Sequence, residues 1–306
     1  MTLPKVAPRA RWDIEQERGS SVAVTLIAWL SRAFGRGPTR WLLRPISWYF
    51  VAFSPRARRA SRAFLRRALG REPRLRDLLR HFHTFAATIH DRVFLVTGQE
   101  SLFDIEVHGA VSIERLLRSG RGCILLGSHL GSFEVLRALG RLAGMRAVNV
   151  VMRSLDTAHT ARAFSRMAPE LTDRVIAPGA PDTMLKVSEC LERGEIVGFL
   201  GDRPLHGART RACDFFGAPA EFPLGPLHIA GAAGVPVITF FALYEGGSRY
   251  EVFLEQLSEG TVVPKAERTA WAAKRVARYV ERLERYARRS PYNWFNFYDY
   301  WNENPR

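Results

Sequence analysis

Apolar and polar positions are distributed differently in the first third of the chain and in the rest of it. Up to about residue 100, apolar residues recur at helical spacing among many arginines, and this pattern predicts helices. From about residue 108, short apolar runs alternate with amphipathic segments long enough for helices. Such alternation is typical of a mostly parallel sheet with helices on both faces. We therefore predict an α/β fold with a mostly parallel central sheet flanked by helices and a basic, amphipathic helical N-terminal region.

The second part of the chain supplies the individual elements of this fold. The predicted strands are residues 121–126, 146–152, 175–177, 195–200, 236–243 and 250–257, the last of them an edge strand. The predicted helices are residues 133–144, 157–167, 181–193, 224–233 and 269–289. Residues 215–225 contain glycines and prolines and predict a loop. No internal repeat or low-complexity linker interrupts the pattern.

Two apolar-aromatic blocks lie beside arginines near the N-terminus. They occupy residues 22–34 and 41–53, and a dense series of arginines follows between residues 56 and 80. Helices with an apolar-aromatic side and a basic side bind the headgroup region of anionic leaflets. The alternative is a solvated basic helix whose apolar side packs on the core. The longest early uncharged stretch, residues 19–31, is shorter than the roughly 20 residues of a membrane span, and no signal-peptide pattern precedes it.

Composition and charge narrow the possible partners. The 306 residues are 47% hydrophobic, enough for a sizeable core, and the net charge of +15 favours nucleic acid, acidic lipids or phosphorylated substrates. No helix-turn-helix, zinc-finger or ribonucleoprotein motif supports nucleic acid, so we expect none as a partner. The 3 cysteines lack CxxC spacing, which is typical of a reducing cytoplasm and predicts neither a disulfide framework nor a zinc site. We expect no cofactor and no metal.

The main candidate for chemistry follows the strand at residues 121–126. Gly127-Ser128-His129 ends this strand, and a helix is predicted to begin near Ser132. Sites in open α/β sheets lie beyond the carboxyl ends of strands, where His129 is expected. Glu134, in the first helical turn, can face this histidine. The imidazole could then take a proton from a hydroxyl while the carboxylate fixes its tautomer. The alternative is a histidine that only packs at a strand end.

These residues resemble a known family. Residues 127–134 are similar to the His-x4-Asp/Glu motif of the lysophospholipid acyltransferase superfamily, and specifically to the bacterial lipid A late acyltransferases, the lauroyl and myristoyl transferases. Further blocks follow in the family's order, at residues 12–20, 195–202, 215–217, 223–225 and 233–237. Each block is weak by itself, and the ordered series carries the resemblance.

The resemblance implies transfer of a fatty or polyene acyl group from an acyl carrier protein thioester to a hydroxyl of a lipid or glycolipid acceptor. His129 would be the general base and Glu134 its orienting partner. The resemblance also implies direct attack by the acceptor without an acyl-enzyme, and this agrees with the sequence, in which no serine lies in a Gly-x-Ser-x-Gly frame. Residues 1–100 would be a membrane-associating region and residues 101–306 the acyltransferase domain, at the cytoplasmic face of the inner membrane. An acyl hydrolase of the same architecture and, less favoured, a basic nucleic-acid-binding protein are the alternatives.

Several substrate-binding residues are implied as well. Arg166 lies in a helix where the family has a functional arginine, and Arg153 is the competing choice. Either could hold phosphate or an oxyanion, or be an ordinary surface arginine. Asp202 follows the strand at residues 195–200 and could line the pocket or cap a turn. The family typically has Gln after this acidic residue, and Arg203 stands here instead.

Two apolar segments complete the candidate site. Phe215, Phe216 and Gly217 begin the predicted loop and could line an acyl groove or instead plug the sheet. The final segment, residues 291–301, is aromatic and weakly acidic, whereas the lipid A enzymes end in a Trp-rich, basic stretch. It is more similar to acyltransferases of aryl polyene or related pigment-lipid clusters. We therefore expect an acceptor other than lipid A, or simple packing of the segment.

Overall fold

The computed structural model describes residues 29–31, 33–110, 120–136, 138, 148–152, 174–180, 182–205 and 207–301. The helices before the sheet are α1 (Arg36–Arg40), α2 (Leu43–Phe53), α3 (Pro55–Leu69) and α4 (Leu75–Val96). Residues 29–31 and 33–34 are helical too. The helical character predicted for the N-terminal region is confirmed for its described part.

Local sequence signals explain where these helices begin and end. Pro55 occupies the first position of α3, where its fixed φ suits the helix and its missing N–H is not needed. Gly70 ends α3 with a φ of 63°, a left-handed conformation that favours glycine. At the start of α4, the Asp77 carboxylate accepts a 2.7 Å hydrogen bond from the backbone N–H of Arg74. Each end therefore follows from one or two residues rather than from long-range packing.

The central sheet is mixed and mostly parallel. Its strands are β1 (Asp104–His108), β2 (Cys123–Gly127), β3 (Val148–Val151), β4 (Val175–Ile176), β5 (Ile196–Leu200), β8 (Val237–Gly246) and β9 (Arg249–Ser258). The order across the sheet is β1-β9-β8-β2-β5-β3-β4, and only the β8–β9 pair is antiparallel. The remaining named helices are α5 (Thr183–Glu192), α6 (Gly225–Ala233) and α7 (Arg268–Arg289). The predicted α/β class is confirmed.

The strand predicted at residues 250–257 is not an edge strand. Its outer side pairs in parallel with β1, in the register Asp104↔Arg249 to His108↔Phe253. β1 could not be predicted from the sequence because three of its five residues are Asp, Glu and His, which interrupt the apolar pattern of a short strand. Charged side chains are common on edge strands, where they discourage pairing with other chains. The edge of the sheet on this side is therefore β1, the more polar of the two strands.

The segment predicted as a loop at residues 215–225 is mainly a β-hairpin. Strands β6 (Thr210–Phe215) and β7 (Ala218–Pro223) pair antiparallel and are joined by Phe216 and Gly217. These two residues have φ values of 55° and 76°, as two-residue hairpin turns with positive φ at both positions require. An apolar residue at the first of these positions hid the turn in the sequence.

Two hydrophobic clusters cover the two faces of the sheet. Strand β2 contributes to both, with Ile124 and Leu126 on one side and Cys123 and Leu125 on the other, as the alternation of side chains in a strand requires. The first cluster also contains Phe64, Leu65 and Leu78 from α3 and α4. The helices before residue 100 thus share a core with the sheet.

The outer side of these helices presents large apolar side chains to solvent. We call this the N-terminal aromatic surface, and its members are Trp29, Phe34, Trp41, Leu42, Trp48, Tyr49 and Phe53. The inner side is fixed by the fully buried Asp91 of α4, which Arg36 contacts at 2.8 Å and Arg40 at 2.9 Å. Within the described residues, no helix is both long and apolar enough to cross a bilayer.

Candidate active site

Register between two neighbouring strands brings His129 to an acidic partner. β2 and β5 are parallel, with Gly127 opposite Leu200, so both chains leave the sheet at the same edge. The backbone N–H of Gly201 donates a 2.9 Å hydrogen bond to the carbonyl of Gly127, which continues the pairing by one step. His129 and Asp202 each lie two residues past the paired ends. Equal spacing from a common register therefore places their side chains face to face.

Asp202 holds both the ring and the backbone of His129. The imidazole Nδ1 lies 2.9 Å from Asp202 Oδ1, and the backbone N–H of His129 donates to Oδ2 at 3.1 Å. An ionised carboxylate only accepts hydrogen bonds, so Nδ1 carries the proton. The lone pair is then on Nε2, which leaves the ring in the tautomer that a general base needs.

Asp202 is fully buried and receives further hydrogen bonds from the end of the chain. The indole N–H of Trp294 donates to Oδ2 at 3.1 Å, and the Tyr300 hydroxyl donates to the main-chain oxygen at 2.8 Å. Burial alone would raise the pKa of Asp202. The charges of His129 and Arg203 and the hydrogen bonds from His129 outweigh it and hold that pKa well below its ordinary value. Asp202 is therefore ionised at neutral pH.

The prediction that the Glu134 carboxylate forms a hydrogen bond with His129 is wrong for this structure. Residues 134–136 are helical as predicted, but the Glu134 carboxylate forms an ion pair with Arg92 of α4 at 2.8 Å. The Nδ1 position of His129 is already occupied by Asp202. The physical reason is the strand order, since β5 lies directly beside β2 and delivers its own carboxylate to the histidine. Asp202 follows His129 by 73 residues in the sequence, so no local motif could identify it as the partner.

The electrostatic surroundings of His129 favour its neutral form. Partial burial lowers the pKa of His129, the positive charge of Arg203 lowers it further, and Asp202 opposes both. The side chain nevertheless keeps 32% of its surface exposed. A neutral imidazole with an accessible ring edge can accept a proton from a group arriving from solvent.

The turn after His129 fits tightly against the sheet. Gly131 has a φ of 79°, and a Cβ there would overlap the carbonyl oxygen of Ala242 in β8. The next residue, Ser132, donates its backbone N–H to that same oxygen at 2.9 Å. Only glycine combines this φ with this close approach. The turn that carries the histidine is thus fixed to β8 by local geometry.

The structure describes Arg203, which stands where the family typically has glutamine, but not the two arginines that were predicted to bind substrate. Arg203 lies beside the pair, where its guanidinium donates to the carbonyl of Phe295 at 2.8 Å and lies 5.0 Å from the ring centre of Tyr298. Arg153 and Arg166 lie outside the described residues. Their expected contacts with phosphate or an oxyanion therefore stay predictions.

Phe215 and Phe216 are buried in the main core rather than arranged around an open loop. The Phe215 ring packs 5.2 Å from that of Trp294, and the Phe216 ring lies 5.7 Å from that of Phe64. Gly217 is exposed at the tip of the hairpin. The two phenylalanines therefore pack in the core, as the packing alternative predicts, and Phe215 contacts Trp294 directly.

The thiols and Ser128 provide no activated nucleophile beside the histidine. Burial raises the pKa of the Cys123 thiol to about 12, so it stays protonated, and burial raises the pKa values of Cys190 and Cys213 as well. The Ser128 oxygen is buried and accepts a 3.2 Å hydrogen bond from the backbone N–H of Leu130. In the part of the chain that the structure describes, no group of three His, Cys, Asp or Glu side chains could hold a metal.

A family model described as bacterial lipid A biosynthesis acyltransferase matches residues 15–302. The chain belongs to this family. No curated protein matches the chain.

The protein is therefore an enzyme that transfers acyl groups. In this lipid A-type acyltransferase, the family match includes the His129 turn, Asp202 and the whole of residues 291–301. The C-terminal segment thus lies within the matched region although its composition differs from the expected basic ending. Sequence reasoning missed the partners that this segment provides, Trp294 and Tyr300, because no local spacing connects them with Asp202.

Proposed function

We propose that this acyltransferase moves a fatty or polyene acyl group from an acyl carrier protein thioester to a hydroxyl of a lipid or glycolipid acceptor, with His129 as the general base. The observation that carries the proposal is the hydrogen bond between His129 Nδ1 and the buried Asp202 at the carboxyl edge of the sheet. This bond leaves Nε2 free to accept a proton. No metal or cofactor is needed for a transfer of this kind.

The proposed reaction is a single displacement through a tetrahedral intermediate. Nε2 of His129 takes the proton of the acceptor hydroxyl while its oxygen attacks the thioester carbonyl carbon. The intermediate then collapses, the carbon–sulfur bond breaks, and the departing thiolate takes the proton from Nε2. An ester and a free thiol result, and His129 returns to its neutral form. The ionised Asp202 stabilises the imidazolium between these two transfers.

Direct transfer is favoured over an acyl-enzyme by the state of the candidate nucleophiles. The Cys123 thiol is buried and protonated, and Ser128 is buried with its oxygen engaged by Leu130. A covalent mechanism needs a nucleophile next to an activating base. The hydrolase alternative, in which water replaces the acceptor, shares the same base and has to be separated by experiment.

We assign membrane association to the N-terminal aromatic surface. Trp48 is 54% exposed on α2, and α3 follows it with the exposed arginines Arg56, Arg59, Arg62 and Arg66. Aromatic side chains settle at the headgroup level of a bilayer, and arginines are attracted to its anionic lipids. We infer peripheral binding at the cytoplasmic face of an inner membrane, where a lipid acceptor and a soluble carrier protein can both be reached.

Reconstituted transfer with the full-length enzyme tests this function. The assay contains acyl carrier protein loaded with a fatty acyl group and a lipid extract as acceptor, with acylated lipids measured by mass spectrometry. His129→Gln should lower the rate by about 10²–10⁴-fold, the usual contribution of a general base. The matched control is His108→Gln, a change at a partly exposed histidine of β1, which should keep the rate.

The same assay separates the alternatives. Omission of the lipid acceptor should abolish thioester consumption by a transferase. Rapid release of free fatty acid without acceptor would favour the hydrolase, and full activity of His129→Gln would disprove the proposed base.

A further inference from the structure

The last described stretch of the chain, residues 291–301, is joined directly to the proposed catalytic turn. We call it the C-terminal aromatic segment. The backbone N–H of Phe295 donates to the carbonyl of His129, and the backbone N–H of Gly131 donates to the carbonyl of Asn293, both at 2.9 Å. The segment thus pairs with the turn like a short strand, on both sides of Leu130. Residues 293–295 are therefore part of the site.

Trp294 is held in place on several sides. Its side chain is fully buried. Its carbonyl oxygen is 2.9 Å from Nε2 of His81 in α4, and its ring lies 4.8 Å from that of Phe64 and 5.0 Å from that of Tyr300. Tyr300 is fully buried as well. The indole N–H and the phenol hydroxyl are polar groups in an apolar cluster, and both are directed to Asp202.

We propose that Trp294 and Tyr300 are positioning residues of the acyl-transfer reaction, which fix the Asp202 carboxylate in the orientation that receives the Nδ1–H of His129. This inference rests on the proposed function of His129. It assigns a task to a segment whose composition departs from the expected family ending.

The two oxygens of Asp202 have different partners, and this explains how positioning works. Oδ1 accepts the ring N–H of His129, and Oδ2 accepts the indole N–H of Trp294 and the backbone N–H of His129. Without the indole N–H, a buried anionic oxygen loses one of its donors, which is costly for a fully buried carboxylate. The carboxylate would then be held less firmly, and the imidazole bound to Oδ1 would be directed less precisely toward the acceptor.

The electrostatic consequence has a definite sign. Among the described residues, the groups that act on His129 are Asp202 and Arg203, and those that act on Asp202 also include the phenols of Tyr279 and Tyr300. Burial raises the pKa values of both phenols well above the ordinary value, so both are uncharged. An indole N–H spreads the negative charge of Asp202. Its removal strengthens the attraction between Asp202 and the imidazolium and raises the pKa of His129.

Steady-state kinetics of the full-length enzyme over a range of pH test the inference. Trp294→Phe removes the N–H and keeps an aromatic ring. We expect kcat to fall about tenfold with KM unchanged, because an interaction that acts in the transition state is lost. The acid limb of the pH–rate profile should move to higher pH, since His129 must be neutral to act.

Trp301→Phe is the matched control. Its indole N–H donates to the carbonyl of Phe215 at 3.2 Å, in the same aromatic cluster, and it does not contact Asp202. We expect this variant to lose some thermal stability while kcat and the acid limb stay unchanged. If Trp294→Phe matches Trp301→Phe in both kcat and acid limb, Trp294 only packs, and the inference is overturned.

Tyr300→Phe keeps the test decisive if Trp294→Phe does not fold, and a double variant sharpens the test if it does. Tyr300→Phe removes the hydrogen bond to the Asp202 main chain and should lower kcat several-fold with KM unchanged; a wild-type kcat would contradict the inference. In an Asp202→Asn background, Trp294→Phe should cause no further loss of kcat, because its effect passes through the carboxylate. An inactive His129→Gln with an unaffected Trp294→Phe removes only this inference, whereas an active His129→Gln removes the proposed function itself.

Discussion

The chain has two segments rich in aromatic residues, 41–53 and 291–301, and they have opposite environments. Trp48 is 54% exposed on a helix that is followed by arginines, whereas Trp294 is fully buried with its N–H on Asp202. A buried indole needs an acceptor, and an exposed one can use water or lipid headgroups. The aromatic content of a segment therefore does not indicate its role. The role is indicated by whether the polar group of each aromatic side chain faces solvent or a buried acceptor.

The two segments also differ in what they connect. The C-terminal segment binds the His129 turn and α4 through main-chain contacts. The helices before the sheet are held on their inner side, where Asp91 accepts hydrogen bonds from Arg36, Arg40 and Tyr250. Burial raises the pKa of Asp91, but the adjacent His90 ring, the hydrogen bond from Arg36 and the arginine charges together hold that pKa below its ordinary value. A firm inner anchor thus supports a surface of exposed aromatic side chains.

The largest effect is expected where the C-terminal segment meets the catalytic pair. Asp202→Asn keeps the size of the side chain but no longer stabilises the imidazolium or selects the Nδ1–H tautomer. We expect kcat to fall by about 10²–10⁴-fold, measured as initial rates of acyl transfer. Asp104→Asn, on the edge strand β1, is the control and should act like the wild type. A loss of less than about threefold in Asp202→Asn would contradict the role of Asp202.

The second effect sharpens the N-terminal side of the comparison. Trp48→Ser combined with Tyr49→Ser should weaken binding to vesicles of anionic phospholipid by about tenfold, because two half-exposed aromatic side chains are lost. Turnover of substrates dispersed in detergent should stay the same. Met184→Ser with Leu185→Ser changes two apolar side chains of α5 that are similarly exposed, 52% and 61%, and serves as the control. Equal loss of vesicle binding in both double variants would refute a specific N-terminal surface.

A third effect concerns the ion pair between Arg92 and Glu134, which connects α4 to the helical turn that follows His129. Both side chains are partly buried, at 21% and 13% exposure. A double-mutant cycle with Arg92→Gln and Glu134→Gln should give a coupling energy of about 1 kcal/mol in denaturant unfolding. Additive losses would mean that the ion pair contributes nothing to stability in solution.

The smallest effect is a displacement of the pH–rate profile. The charge of Arg203 disfavours the imidazolium of His129 and so lowers its pKa. Arg203→Gln removes that charge, raises the pKa of His129 and should move the acid limb to higher pH, so that activity at pH 6 falls more than activity at pH 8. Arg62→Gln, an exposed change on α3, should leave the limb in place. A limb that moves to lower pH would show that Arg203 acts in another way.

Much of the fold could be predicted from local patterns. Buried strands such as β2 and β5 are continuous apolar runs, and α7 has the charged, amphipathic pattern of a surface helix. The polar strand β1 and the β6–β7 hairpin could not be predicted in this way. Their formation depends on a neighbouring strand and on an unusual turn at Phe216 rather than on apolar periodicity.

The sequence by itself determined that His129 follows a buried strand at the edge where sites form, and that the N-terminal helices are aromatic and basic. Only the tertiary structure decided that Asp202 is the carboxylate on this histidine, that Glu134 pairs with Arg92, and that Trp294 completes the arrangement. The physical reason is the separation along the chain between the residues that interact. A helix or a strand follows from neighbours along the chain, whereas a hydrogen-bond partner follows from the order of strands, and β5 lies beside β2 across 73 residues of sequence.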